Sequence, residues 1–164
     1  MMLKFHILNS RETKHILEKL SEKFGFEADK NDLDYIFLEG KEGRLYVVSK
    51  DLGNVDFEKL RIDMIGIYFG ETYKDELRLS IEGAQIIGRN ATKNVVELDH
   101  AQMLDWIQGK DILFKEFGPG FVIVKYHDLR TDKDDILGCG KYNKQSGMLM
   151  NYVSKSRKLV VVNE

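Results

Sequence analysis

Four histidines, one cysteine and a few clustered carboxylates are the residues of this 164-residue chain that could carry bond-making chemistry. Their spacing argues against it. His6, His15, His100 and His127 have no histidine or cysteine three or four residues away, so the ligand pairing of a zinc site is missing. Asp134 and Asp135 stand in "HDLRTDKDD", which reads as a solvated polar loop. Cys139 lies between two glycines among apolar residues and reads as a small buried thiol. "GCGKYN" lacks the third glycine of a dinucleotide turn and is followed by no helical periodicity. No GxxxxGK[ST] phosphate loop occurs. The expectation is a protein without catalytic residues, cofactor or metal.

Binding chemistry is better represented. After Asp135 no acid appears until Glu164, whereas Lys141, Lys144, Lys155, Arg157 and Lys158 fall in between. The formal net charge is -2. The first 83 residues hold about four more acids than bases, and the remainder about two more bases than acids. In "NYVSKSRK", Asn151, Tyr152, Ser154, Lys155, Arg157 and Lys158 mix amide, aromatic ring, hydroxyl and cation. A tyrosine among cations can stack a base, and the arginine fork matches phosphate. "GRNATKN" offers a second such mixture through Arg89 and Lys93. The eight candidate RNA-binding residues are therefore Arg89, Lys93, Lys141, Asn151, Tyr152, Lys155, Arg157 and Lys158.

The elements that must position them begin with a helix, "NSRETKHILEKLSEKFG". Asn9 and Glu12 form a capping box, Ile16, Leu17, Leu20 and Phe24 form an apolar face, and Gly25 ends it. "DYIFLEG" and "GRLYVVSK" read as strands around a turn at Gly40–Gly43. "DFEKL" reads as a short helix. "MIGIYFGET" and "ELRLSIEGAQII" read as strands joined by "YKDE". Beyond Gly83 the pattern predicts strands at "NVVELD", "GPGFVIVKY", "DDILGCGKYN", "GMLMNYV" and "KLVVV". It also predicts one helix, "DHAQMLDWIQGK", capped by Asp99, with Met103, Trp106 and Ile107 on its apolar face and Gly109 at its end. Closely spaced short strands with a single helix suggest a small β barrel. The boundary falls near residues 74–84, with no long linker.

At this point the second half resembles a PUA domain, a small pseudo-barrel RNA-binding module. The resemblance rests on "IEGAQIIG", "PGFVIVKY" and "ILGCGKY" in that order. More specifically, "FVIVKY…ILGCGKYNKQSGMLMNYVSKSRKL" looks like the C-terminal PUA-like domain of Sun/Fmu-type RNA cytosine methyltransferases, and "VVELDHAQMLDWIQGKDI" matches its helix region. It covers roughly residues 77–160. The resemblance implies RNA binding and does not carry over methyl transfer. Those enzymes use a Rossmann-type cofactor domain and catalytic cysteines, and the one cysteine here lies in the PUA-like part. The N-terminal half looks like the pre-PUA domains of small stand-alone ribosome-biogenesis or translation factors. In such a fold the basic tail and "GRNATKN" would meet on one face. Leu149, Tyr152, Val153 and Leu159 would anchor the tail. Glycines 83, 88, 138 and 140 would either admit an RNA backbone or turn tight barrel corners.

The expected fold class is therefore α+β, with an N-terminal mixed α/β domain over residues 1–76 and a PUA-like β pseudo-barrel over 77–164. The expected function is non-catalytic RNA binding in ribosome biogenesis or RNA modification, with rRNA or tRNA as partner. The alternative is an adaptor that docks an RNA-modifying enzyme or a ribosomal subunit or precursor through its N-terminal half. Apolar runs such as "FVIV" are too short to span a bilayer, and "MMLKFHILNS" lacks a signal-peptide core, so a soluble cytoplasmic protein is expected.

Overall fold

Asn9 starts the first helix as its sequence predicts. The computed structural model of the chain describes residues 5–31, 33–56, 64–115, 117–118 and 120–160. Helix α1 spans Ser10–Phe24. The Asn9 side chain accepts from the Arg11 and Glu12 amides, and the Glu12 carboxylate accepts from the Asn9 amide at 2.8 Å. Gly25 stops the helix at φ 61, a left-handed conformation that glycine adopts without cost. Ile16, Leu20 and Phe24 are the buried face.

The first sheet is an antiparallel meander of β1 (His6–Ile7), β2 (Tyr35–Glu39), β3 (Arg44–Ser49), β4 (Ile67–Tyr73) and β5 (Glu76–Leu79), paired in that order. Lys74 and Asp75, at φ 47 and 64, join β4 to β5 as the two-residue turn that suits the twist of a hairpin. Alternation sends Leu45, Val47, Phe69, Leu77 and Leu79 into the core beneath α1. Arg44, Tyr46, Tyr68 and Arg78 are left on the opposite face.

Among the described residues, two expected strands depart from the expectation. "ELRLSIEGAQII" is a strand only as far as Leu79; Ile81–Gly88 form helix α2. Ser80 caps it, its Oγ accepting from the Gly83 amide and donating to the Tyr68 carbonyl. Ala84 and Ile87 then fall on one buried side at helical spacing. "KLVVV" is not a strand over Lys158–Val160; the chain makes a single 3-10 turn at Lys155–Arg157 before it. Of "DFEKL", all but Asp56 lies outside the described residues.

The second sheet contains β6 (Val95–Leu98), β7 (Ile112–Leu113), β8 (Gly120–Asp128), β9 (Lys133–Asn143) and β10 (Met148–Asn151), in the order β6-β8-β9-β10-β7. Only β6 and β8 run parallel. Helix α3 (His100–Ile107) follows β6, and its Asp99–Gln102 capping box forms as the sequence predicts. A register shift opposite Val124 marks a bulge in β9, where Gly138 sits at φ 124. The sheet curls into a half-barrel, so the chain is α+β, a mixed α/β unit followed by a β pseudo-barrel.

Strand β8 explains the unbroken "FVIV" run, because both of its faces are buried. Phe121 and Ile123 join α1, α2 and the first sheet in one apolar cluster. Val122 and Val124 join Trp106, Ile112 and Leu149 in another. The expected boundary at 76/77 falls at the start of β5, and Ile136, Cys139, Phe121 and Ile123 share a core with residues before it. Segment 92–94 also caps α1: the Thr92 and Lys93 amides donate to the Phe24 carbonyl, and Asn94 Nδ2 to that of Lys23. Among the described residues no helix is long and apolar enough to cross a membrane.

Candidate functional site

Hairpin register builds one wall of a groove on the outer face of the first sheet. Arg44 pairs with Glu71 across β3–β4, and Glu71 with Arg78 across β4–β5. A Tyr46–Tyr68 pair lies beside this row, ring centroids 5.5 Å apart. Glu71 binds the Arg78 guanidinium at 2.9 Å and accepts from the Tyr68 hydroxyl at 3.2 Å. Burial first, and then the Glu71 carboxylate, push the Tyr68 hydroxyl above its ordinary range, so it remains a donor.

The opposite wall comes from the tail and from the first turn of α2. Asn151 anchors the tail. Its Nδ2 donates to the Trp106 carbonyl at 2.8 Å and to that of Lys110 at 3.3 Å, and its Oδ1 accepts from the Val153 amide. Val153 and Ile81 both lie against Gly138. Tyr152 meets Phe121 edge-on at 5.3 Å, and the Arg78 guanidinium lies over the Tyr152 ring at 5.6 Å. Lys141 lies over Phe121 at 4.8 Å and pairs with Glu76 at 3.0 Å. The result is a ladder Lys141–Phe121–Tyr152–Arg78 that joins the two sheets. Arg157 pairs with Glu82 of α2. The groove has a volume of about 610 Å³, and four cations (Arg44, Arg78, Lys155, Arg157) and two carboxylates (Glu71, Glu82) line it.

Of the eight residues singled out by sequence, Tyr152, Lys155 and Arg157 line this groove. Lys141 is one ring removed from it. Asn151 holds the tail in place with its own side chain. Lys158 lies across Gly109 and donates to its carbonyl. Arg89 follows the last turn of α2, about 12 Å along the axis from the turn at the groove, and exposed Lys93 lies beyond it. Arg89 and Lys93 are thus not among the residues that line the groove.

Sequence reasoning missed Arg44, Tyr46, Tyr68 and Arg78. The period-two pattern of "RLYV", "IYFGE" and "ELRL" carried the signal, since it puts these residues opposite Leu45, Val47, Phe69, Leu77 and Leu79. The four glycines are all buried. A side chain at 83 would collide with the Phe69 carbonyl, at 140 with Trp106, and at 88 and 138 it would crowd Ile136 and Val153. They serve internal packing rather than an approaching RNA backbone.

Of the other chemically capable residues, Asp134 is engaged away from the groove, and Cys139 borders it from within the core. Asp134 belongs to β9 and not to a loop; it pairs with His127 at 2.7 Å and Lys125 at 3.0 Å. Its hydrogen bond raises the His127 pKa, and His127 and then Lys125 lower that of Asp134. Cys139 is buried, and loss of solvation pushes its thiol up to about 12.

No protein-family model matches the chain. It is 32% identical over 139 residues to a ribosomal RNA small subunit methyltransferase F of Aeromonas salmonicida, covering 84% of this chain and 26% of that protein. The protein of the same name from Aeromonas hydrophila is 30% identical over 136 residues, 82% of this chain and 26% of its own. The chain is a homologue of part of these proteins. One from Vibrio cholerae is 29% identical over 85 residues, 51% of this chain and 17% of its own. The chain spans about a quarter of the length of the two Aeromonas relatives. A match of 139 residues cannot be contained in 77–164, so the similarity extends well into the N-terminal half that the resemblance to PUA-like domains left out.

Proposed function

We propose that this chain is a non-catalytic RNA-binding unit acting in ribosomal RNA modification or ribosome biogenesis. Residues 77–164 are the RNA-binding domain and residues 1–76 complete its site. The observation that carries the reading is the groove, where cations and tyrosines from the first sheet and from the tail face one space. The names of the relatives favour small-subunit ribosomal RNA over transfer RNA as the partner. The depth and high pKa of Cys139 support a role without a thiol nucleophile.

A salt titration of affinity for small-subunit ribosomal RNA tests this. Lys155 and Arg157 would neutralise about two phosphates, so they are expected to contribute about -1.4 to the log–log salt slope for single-stranded contacts. The double variant Lys155→Ala/Arg157→Ala removes that contribution and weakens binding without unfolding the protein, because exposed charges contribute little stability. Lys14→Ala, at an exposed position of α1, leaves both unchanged. Absence of salt-sensitive binding by the wild type at low salt refutes the reading.

A further inference from the structure

The chemistry of the groove specifies which form of RNA it takes, a step that rests on the RNA-binding reading above. We infer that it accepts one unpaired nucleotide of a single strand, with the base against the tyrosines and the flanking phosphates toward Arg44, Lys155 and Arg157.

Three observations point this way. The walls are aromatic: Tyr46 and Tyr68 on one side, Tyr152 on the other. A tyrosine face can stack only on a base whose own face is free, and in a duplex each base is covered by its neighbours. The second observation is charge balance. Arg78 is paired with Glu71 and Arg157 with Glu82, so half of the positive charge is neutralised within the groove. A duplex tracked along its backbone needs a row of uncompensated cations. A site for one nucleotide does not, and the two carboxylates there become acceptors for the amino groups of a base or for a ribose hydroxyl. The third is Arg78 itself. Glu71 holds its guanidinium from one side, and it lies over the Tyr152 ring. It is thus held between a carboxylate and an aromatic ring, and a guanidinium is a plane that can stack on bases. The volume of about 610 Å³ is in the range of sites for single small ligands, roughly 300–1,000 Å³, and too small for a helix.

The test is fluorescence anisotropy on the 164-residue chain. The probes are a short labelled RNA strand without self-complementarity, alone and annealed to its complement. The single strand is expected to bind more tightly, by about tenfold for one stacked base. Tyr152→Leu, which keeps an apolar contact with Phe121, loses about that factor for the single strand and nothing for the duplex, with the salt slope unchanged. Tyr152→Phe restores the affinity. Tyr46→Leu reads the opposite wall and gives the same loss should Tyr152→Leu fail to fold. Equal binding of strand and duplex, or equal losses on both in a folded tyrosine variant, overturns the inference and leaves RNA binding standing. Binding of neither probe overturns both.

Discussion

All the hydrogen-bonding groups of the Asn151 side chain are engaged inside the fold, on Trp106, Lys110 and Val153. Truncation would take their partner from the Lys110 carbonyl and the Val153 amide beside the groove, while the Trp106 carbonyl keeps the Gly109 amide. Asn151→Ala should therefore lower unfolding stability in urea by about 1–3 kcal/mol, the cost of leaving such groups unsatisfied. The salt slope of RNA binding should not change, because no cation is lost. A variant of wild-type stability with a clear loss of affinity would instead assign Asn151 to the RNA. The sequence marks Asn151, Tyr152, Lys155 and Arg157 as polar or aromatic neighbours in one short segment. It does not disclose that the amide reaches back across roughly forty residues to the end of α3. Arg44 and Arg78 escaped notice for a similar reason: each is one cation among many until strand register puts both beside Glu71.

Helix α2 lies against β4 because residue 83 has no side chain. A methyl group there would strike the Phe69 backbone, which cannot move without disturbing the sheet. At Gly88 the nearest atoms are those of the Ile136 side chain at 3.1 Å, which can shift by a few tenths of an ångström. Alanine is favoured over glycine inside a helix by about 1 kcal/mol, and overpacking costs about 1–3 kcal/mol. Gly83→Ala should thus be destabilising by up to a few kcal/mol, and Gly88→Ala markedly less so, as measured by thermal or urea denaturation. The reverse order would mean that α2 is held by its C-terminal end. Helices α1 and α3 were legible because their starts are written locally: Asn9 with Glu12, Asp99 with Gln102. Helix α2 has neither an acid nor a glutamine at the third position, and three isoleucines in eight residues imitate a strand. Its helical state depends on Ser80 and on the surface it covers. The tail "KLVVV" misleads in the same way, being rich in β-formers with no partner strand over its described part.

Strand β8 is a wall common to two apolar clusters, one with Phe121 and Ile123, the other with Val122 and Val124. Loss of either cluster exposes the strand that closes the other. The chain should therefore unfold in one cooperative transition, with Trp106 fluorescence, which reports the second cluster, coincident with far-UV circular dichroism, dominated by α1. Two separated transitions would mean that the sheets are independent. The two sheets and most of their strands could be read from alternation and turn residues. Their joining could not, because a doubly buried strand looks in sequence like any short apolar run. A shared wall also limits how such a structure can be inherited. A cut between the sheets would open the core they share, so the two halves are expected to be inherited together. What can be transferred, fused or lost is the pair. A homology that runs through both halves for 139 residues, while reaching only a quarter of the larger proteins, has the grain of a single indivisible cassette.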